Sequence, residues 1–413
     1  MTPSTDDRGA LFFEPSRACG LDRLAAFQPA MGVKYAAERN SDYGPHERDN
    51  VSCLSPWVRT RLLTEKELAE AALCQFRYDH AEKFHQEVCW RTYFKGWLEH
   101  HPSVWTRYQE TLLEDLSALE QNSGLQTAYD HAVSGNTGIE GFDDWAVELR
   151  ETGYLHNHAR MWFASIWLFI LKLPWTLGAD FFLRHLLDGD AASNTLSWRW
   201  VGGLHTPGKT YLARTSNIEK YTNGRFAPTH LADQAEPIVG FSNPSAQAFR
   251  KGDDIAAEDA GLLLTEDDLG VHSLPYGGAG IKGVAGAVFP DARSPLGCAA
   301  NPKSFAEGAL SDALDRASEI YQCPHQKLSS DGFTTQAIDW ARGLNVSQIL
   351  TGMPPIGWVR PQLDRLQTGL AEHDIRLVYV QRDWDRLFWP HASKGFFKLK
   401  KVIPDVYEEL GLL

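Results

Sequence analysis

The chain has 413 residues, 43% of them hydrophobic and 23% charged, an ordinary globular balance with room for two or three domains. A formal net charge of −13 excludes a protein that coats nucleic acid non-specifically, because phosphate contacts need a basic surface; a local basic cleft stays open. Six scattered cysteines (19, 53, 74, 89, 298 and 323) form no CxxC and no zinc or iron–sulfur spacing, so they read as free thiols of a reducing, cytoplasmic compartment, with no metal implied. The opening MTPSTDDRGALFF lacks a basic region followed by an apolar run, which argues against a signal peptide. The longest apolar stretch, Met161 to Leu171, is about half of the ~20 residues a membrane span needs, so no membrane partner is expected.

From Leu21 to about Leu187 the pattern is helical. Thr64-Glu-Lys-Glu67 is a capping box opening a helix that runs to about Cys74. Ala81 to His100 carries an apolar face opposite its charges. Phe142 to Arg150 and His156 to Leu173 are two more helices, separated by Gly153, with Pro174 stopping the second. Residues 201–250, rich in Gly, Thr, Asn and Pro, read as irregular loop. After about 255 the rhythm changes: strands Gly261–Thr265 and Ala285–Phe289, helices 303–321 and 334–343, strand Gln348–Thr351, helix 358–373 and strand Ile375–Val380. Such alternation implies a small α/β segment with a parallel sheet. The expected division is a mainly helical domain over 1–240 and an α/β domain over 255–413. Trp384, Trp389, Phe396 and Phe397 are expected to bury as core. Gly278-Ala-Gly280-Ile-Lys-Gly283 satisfies GxGxxG, yet it follows VHSLPY and precedes a strand, the reverse of a dinucleotide-binding turn, and reads as a flexible loop.

The segment 153–203 carries the chemistry. His156, Asn157 and Arg160 sit on the first turn of a helix that is apolar afterwards, and Asn157 and Arg160 share a face. An Arg entering a buried helix needs a carboxylate or phosphate partner, and Asp188-Gly-Asp190 is the nearest candidate. Read alone, that pair is a structural link between two helices. The company of Asn194, Trp198 and Trp200, with Trp175 upstream, changes the reading.

His156-Asn157-x-x-Arg160-Met161 and the run Asp188 to Trp200 (DxDxAxNxxxWxW) resemble the FAD-binding domain of the photolyase/cryptochrome family. The likeness extends to Tyr35…Arg39-Asn40, to Val51-Ser-Cys-Leu-Ser-Pro56, to Glu87-Val-Cys-Trp90-Arg91-Thr-Tyr93 and to Thr137-Gly138 followed by Asp143. It implies a mainly α-helical FAD-binding domain in a short form that lacks the family's N-terminal α/β antenna domain. By that resemblance FAD is the cofactor, held by Tyr35, by the Ser52, Leu54 and Ser55 turn at its phosphates, and by Arg91 and Asn157. Arg160 and Asp188 would pair beside the ring, with Asp190 accepting from a ring N–H and Asn194 facing the reactive edge. Trp198 and Trp175 match the inner members of an electron-transfer chain. Its outer member has no counterpart in the expected stretch, about 108–120, so either another residue such as Trp105 or a tyrosine supplies the exit or photoreduction is slow.

The same resemblance implies a pocket for a flipped pyrimidine dimer made of Glu87, Trp90, Asn157, Met161 and Trp200. His158 and Ala146-Val147 stand where the family carries positive charge for DNA, and Val51 where it carries Thr. The implied activity is light-driven repair of pyrimidine dimers by a photolyase-like lyase, with damaged DNA as partner, single strands included. The alternative is a non-catalytic cryptochrome-like blue-light photoreceptor acting on a signalling protein.

Overall fold

In the computed structural model residues 13–413 are described; most of the N-terminal run tested above for a signal peptide lies outside the described residues. Local chemistry sets the helix starts. The Thr64 hydroxyl accepts from the Glu67 N–H at 3.3 Å while the Glu67 carboxylate accepts from the Thr64 N–H at 2.8 Å, and helix Glu65–Gln75 follows. Such a cap is worth roughly 1 kcal/mol. Helices Glu82–His100, Asn157–Phe169, Trp175–His185 and Ala191–Val201 then assemble the helical part, each with a largely buried apolar face.

The helix opened by His156 ends earlier than its apolar pattern predicts, at Phe169. Ile166 O takes the N–H groups of both Ile170 and Leu171, and Lys172 turns into the left-handed region (φ 53°). Pro174 then forces Leu173 out of helical geometry and caps Trp175–His185. Residues 201–250 are not wholly irregular: helix Thr215–Tyr221 forms there, anchored by buried Ile218 and by the Trp162 indole N–H donating to Asn217 at 3.0 Å.

Five parallel strands follow: β1 (Asp259–Thr265), β2 (Gly280–Ala287), β3 (His325–Lys327), β4 (Gln348–Gly352) and β5 (Arg376–Val380), in the order β3-β2-β1-β4-β5. The central strands are buried runs such as Leu262-Leu263-Leu264, as expected of a parallel sheet covered by helices. Strand β2 begins inside the GxGxxG stretch expected to be loop. A Cβ at Gly283 would meet Leu344 at 2.7 Å, so this glycine serves close helix–strand packing. The three exposed polar residues of β3 gave no strand signal.

Beyond β5 the chain returns to the helical part. Residues 383–409 form three short helices, and they lie on helix Glu82–His100. The Trp384 indole donates to Thr92 Oγ1 at 2.9 Å, and a Cβ at Gly96 would meet both Ala392 and Trp389 at 2.8 Å. A buried charge network fastens the same junction: Arg61 pairs with Asp385 at 2.6 Å and Asp268 at 3.2 Å, and Arg382 with Asp268 at 2.7 Å. The compositional boundary near 240–255 therefore marks where strands begin, while the last helices share a core with the first half. Phe397, expected as core, is 77% exposed.

Candidate functional site

The helix starting at Asn157 brings Arg160 to Asp188 at 3.0 Å, and Arg91 reaches Asp188 from the Glu82–His100 helix at 3.7 Å. Arg91 also pairs with Asp190, whose other oxygen caps helix Ala191–Val201 by accepting from Ser193 N–H at 2.7 Å. Burial alone would raise both aspartates; Arg160 and Arg91 at Asp188, and Arg91 and Lys95 at Asp190, reverse this and hold them below the usual carboxylate range. Ser55 adds a hydrogen bond to Asp188. Two cations and two anions from three helices thus close a network around the turn that holds Ser52, Leu54 and Ser55.

That turn is braced from behind. Arg23 donates to the carbonyls of Arg48, Val51 and Ser52, and Cys53 adopts φ 54°. Leu54 is buried and Ser52 Oγ accepts from its N–H at 3.4 Å. Tyr35 is buried edge-on against Phe27 and Phe84. Asn194 is held by donating to Ala179 O at 2.7 Å.

The residues present fit a flavin. Asp188 Oδ1, Ser193 Oγ and Trp198 Nε1 are buried with no hydrogen-bond partner among the described residues. Buried polar groups are normally paired, so the spare ends of Asp188 and Ser193, at the arginine–aspartate network and the helix start beside it, fit a polar ligand. Trp198 packs face-on to Gly178, where any Cβ would overlap its ring, and edge-on to Phe182 at 5.1 Å. Trp175, one helical turn from Gly178, lies 5.6 Å from Tyr108, which stacks on Trp105 at 5.1 Å. Tyr108 is a residue the sequence motifs did not single out; its i+3 spacing from Trp105 was the available signal.

The five expected pocket residues each keep exposed surface on otherwise buried helices: Asn157 is exposed, and Glu87, Trp90, Met161 and Trp200 are half-buried. Trp200 stacks on Tyr211 at 5.6 Å. Glu87 pairs with Arg39 at 2.7 Å, and burial, only partly opposed by Arg39, raises its carboxyl above the ordinary value. His156 Nδ1 accepts from His158 N–H while its Nε2–H donates to Arg39 O at 3.1 Å, the pattern of a neutral ring. Burial pushes its pKa down to about 3. His158 donates to Asn40 O at 2.6 Å, so it too is structural here. One partner of Trp90 was not foreseen: Phe396 stacks on it at 3.8 Å with 11° between planes.

The sheet has its own candidate. Strand order reverses between β1 and β4, and ligands of open parallel sheets bind outside the strand ends at such a point. Here Trp358 fills that crevice, its ring between Arg59 at 5.0 Å and Arg293 at 5.1 Å and its N–H on Glu266 at 3.0 Å. Among the described residues no group of three or more His, Cys, Asp or Glu could hold a metal ion, and no helix is long and apolar enough to cross a membrane.

Residues 84–228 match the family model for the FAD binding domain of DNA photolyase. The chain is 32% identical over 206 residues to a deoxyribodipyrimidine photo-lyase of Thermus thermophilus, covering 50% of this chain and 47% of that protein. It is 26% identical over 240 residues to a cryptochrome DASH of Natronomonas pharaonis, covering 56% and 49%. It also resembles a solved cryptochrome of Synechocystis with TM-score 0.43 and 24% identity, covering 54% and 46%. The chain thus spans about half the length of the curated relatives it matches.

Proposed function

We propose that this chain, whose residues 84–228 form an FAD-binding domain of the photolyase/cryptochrome family, is a light-dependent lyase that splits pyrimidine dimers in DNA. The carrying observation is the mouth, where Glu87, Trp90, Asn157, Met161 and Trp200 keep exposed surface on the three helices of the Arg160–Asp188 network. Bound FAD would supply light-driven one-electron chemistry. A site this deep acts only on a base taken out of the stack. Trp90 and Trp200 offer ring faces that replace lost base stacking, worth about 1–3 kcal/mol per base. Glu87, raised by burial, is suited to hold a proton and donate a hydrogen bond to a pyrimidine carbonyl, with Asn157 beside it on the mouth. Tyr35, Ser52, Leu54, Ser55 and Arg91 would hold the cofactor's phosphates and edges, and Arg160, Asp188, Asp190 and Asn194 its ring. Trp198 and Trp175 relay electrons inward, with Tyr108 and Trp105 continuing the path outward.

The test is illumination of the flavin-loaded, reduced protein with dimer-containing single-stranded and duplex oligonucleotides. Dimer loss on either is expected. Unchanged dimer on both, with normal flavin photoreduction, would sink the lyase reading and assign the chain to photoreception through a partner protein.

A further inference from the structure

The C-terminal run Ser393-Lys-Gly-Phe-Phe-Lys-Leu-Lys-Lys401 holds four lysines in nine residues, on a chain of net charge −13, with no acidic residue between Asp385 and Asp405. Its fold divides it into two faces. Phe396, Leu399 and Ile403 are buried, and Phe396 is stacked on Trp90. Lys394, Phe397, Lys398 and Lys401 point to solvent, and Phe397 is 77% exposed. Of the cations nearer the mouth, Arg39 is committed to Glu87, Arg160 to Asp188, Arg91 to Asp188 and Asp190, and Lys400 to Glu82, while exposed Lys83 beside Glu87 has no ion pair among the described residues. Lys394, Lys398 and Lys401 have no acidic partner among the described residues. Lys398 and Lys401, three apart at the end of helix Phe396–Lys400, share one side of it, and Lys394 lies in the exposed bend just before it.

We propose that segment 393–401 is a DNA-gripping arm: Lys394, Lys398 and Lys401 bind phosphates of the strand entering the mouth, and Phe397 stacks on or between the bases next to the extruded one. The proposal rests on the lyase reading for the identity of the strand. An exposed aromatic flanked by free lysines is the pattern single-strand binders use, with a cationic track for the backbone and a ring for the sequence-tolerant base faces. Phe397 is also the apolar wedge that proteins insert to hold a base step open. Phe396 supplies the positioning. Its stack on Trp90 fixes the arm at the mouth, so two adjacent phenylalanines have opposite tasks, one anchoring and one presented.

The test measures binding of flavin-loaded protein to a labelled 15-nucleotide single strand, with and without a dimer, by fluorescence anisotropy over a salt series. Replacing Lys394, Lys398 and Lys401 by Gln should flatten the slope of log K against log salt by about 2, at roughly 0.7 per lost contact on a single strand. Phe397→Ala should weaken binding about 5- to 150-fold, the loss of one stacked base. Both variants carry only exposed changes and should keep the parent's melting temperature and flavin absorbance; Lys303→Gln, on the sheet side, is the control. Unchanged affinity and slope in the triple variant, with the parent binding DNA, would overturn the arm and leave the lyase reading standing. A parent that binds neither oligonucleotide at any salt would remove the lyase reading first. An arm that binds anionic phospholipid vesicles and not the oligonucleotides would overturn the proposal in favour of a membrane surface.

Discussion

Two places in this molecule look like binding sites by different criteria. The switch point between β1 and β4 has the topology of a ligand crevice, but the Trp358 indole fills the space between two arginines and shares Glu266 with the Phe289 N–H. The mouth has no such topological signature. What distinguishes it is aromatic surface left half-bare at Trp90 and Trp200, together with an arginine–aspartate network in which Asp188 Oδ1 is unpaired. The contrast teaches that a fold's habitual site can be closed by one side chain.

That contrast can be broken by substitution. Asp188→Ala removes the buried carboxylate that half-buried Arg160 and Arg91 share, leaving Arg91 only Asp190, an expected loss of about 1–3 kcal/mol together with most of the bound flavin. Melting temperature and the flavin-to-protein absorbance ratio read both, and retained flavin would show that the network is only structural. Trp358→Ala should cost ~3–5 kcal/mol through the cavity it leaves, yet keep the flavin ratio of the parent. Loss of flavin there would merge the two regions into one site.

Acid should separate them as well. Burial pushes His85, His185 and His205 down to about 4 and His156 to about 3. Their folded values lie below the unfolded 6.5, so the unfolded chain binds more protons between about pH 4 and 6.5 and stability falls as pH drops through that window. The cost is about 2 kcal/mol per histidine at pH 5. Hydrogen exchange should then show residues 156–160 losing protection before β1 and β4; simultaneous loss would make the difference between the regions disappear. The smallest change in stability belongs to Tyr108→Phe. Its buried hydroxyl has no partner among the described residues, so the melting temperature should hold within ~0.5 kcal/mol, while flavin photoreduction slows severalfold. Trp198→Phe should slow it far more, and an unchanged rate in both would exclude this electron route.

Much of this was legible from sequence because it is local. The Thr64 capping box, the apolar strand runs and the spaced Arg, Asp, Asn and Trp of residues 156–200 each declare themselves within a few turns of chain. What stayed hidden depends on distant partners. Nothing in Gly357-Trp358 says that Arg59 and Arg293 will close over the indole, and nothing in Phe396-Phe397 says which ring meets Trp90. Lys172 ended a helix whose apolar pattern ran on to Leu173, because the left-handed turn before Pro174 outweighed the hydrophobic signal.

The return of residues 383–409 to helix Glu82–His100 has a consequence for how the molecule is made. Trp384 and Thr92 are 292 positions apart, and Asp385 and Arg61 are 324 apart. Contacts so remote cannot form until residues 384 and 385 have been synthesised and released, and closing such loops is slow. The helix that carries Glu87, Trp90 and Arg91 therefore acquires its last packing only after residues 383–409 leave the ribosome. Until then the interval between them must be crossed with the Trp90 helix uncovered, the point in the chain's life at which it is most open to aggregation and to proteases.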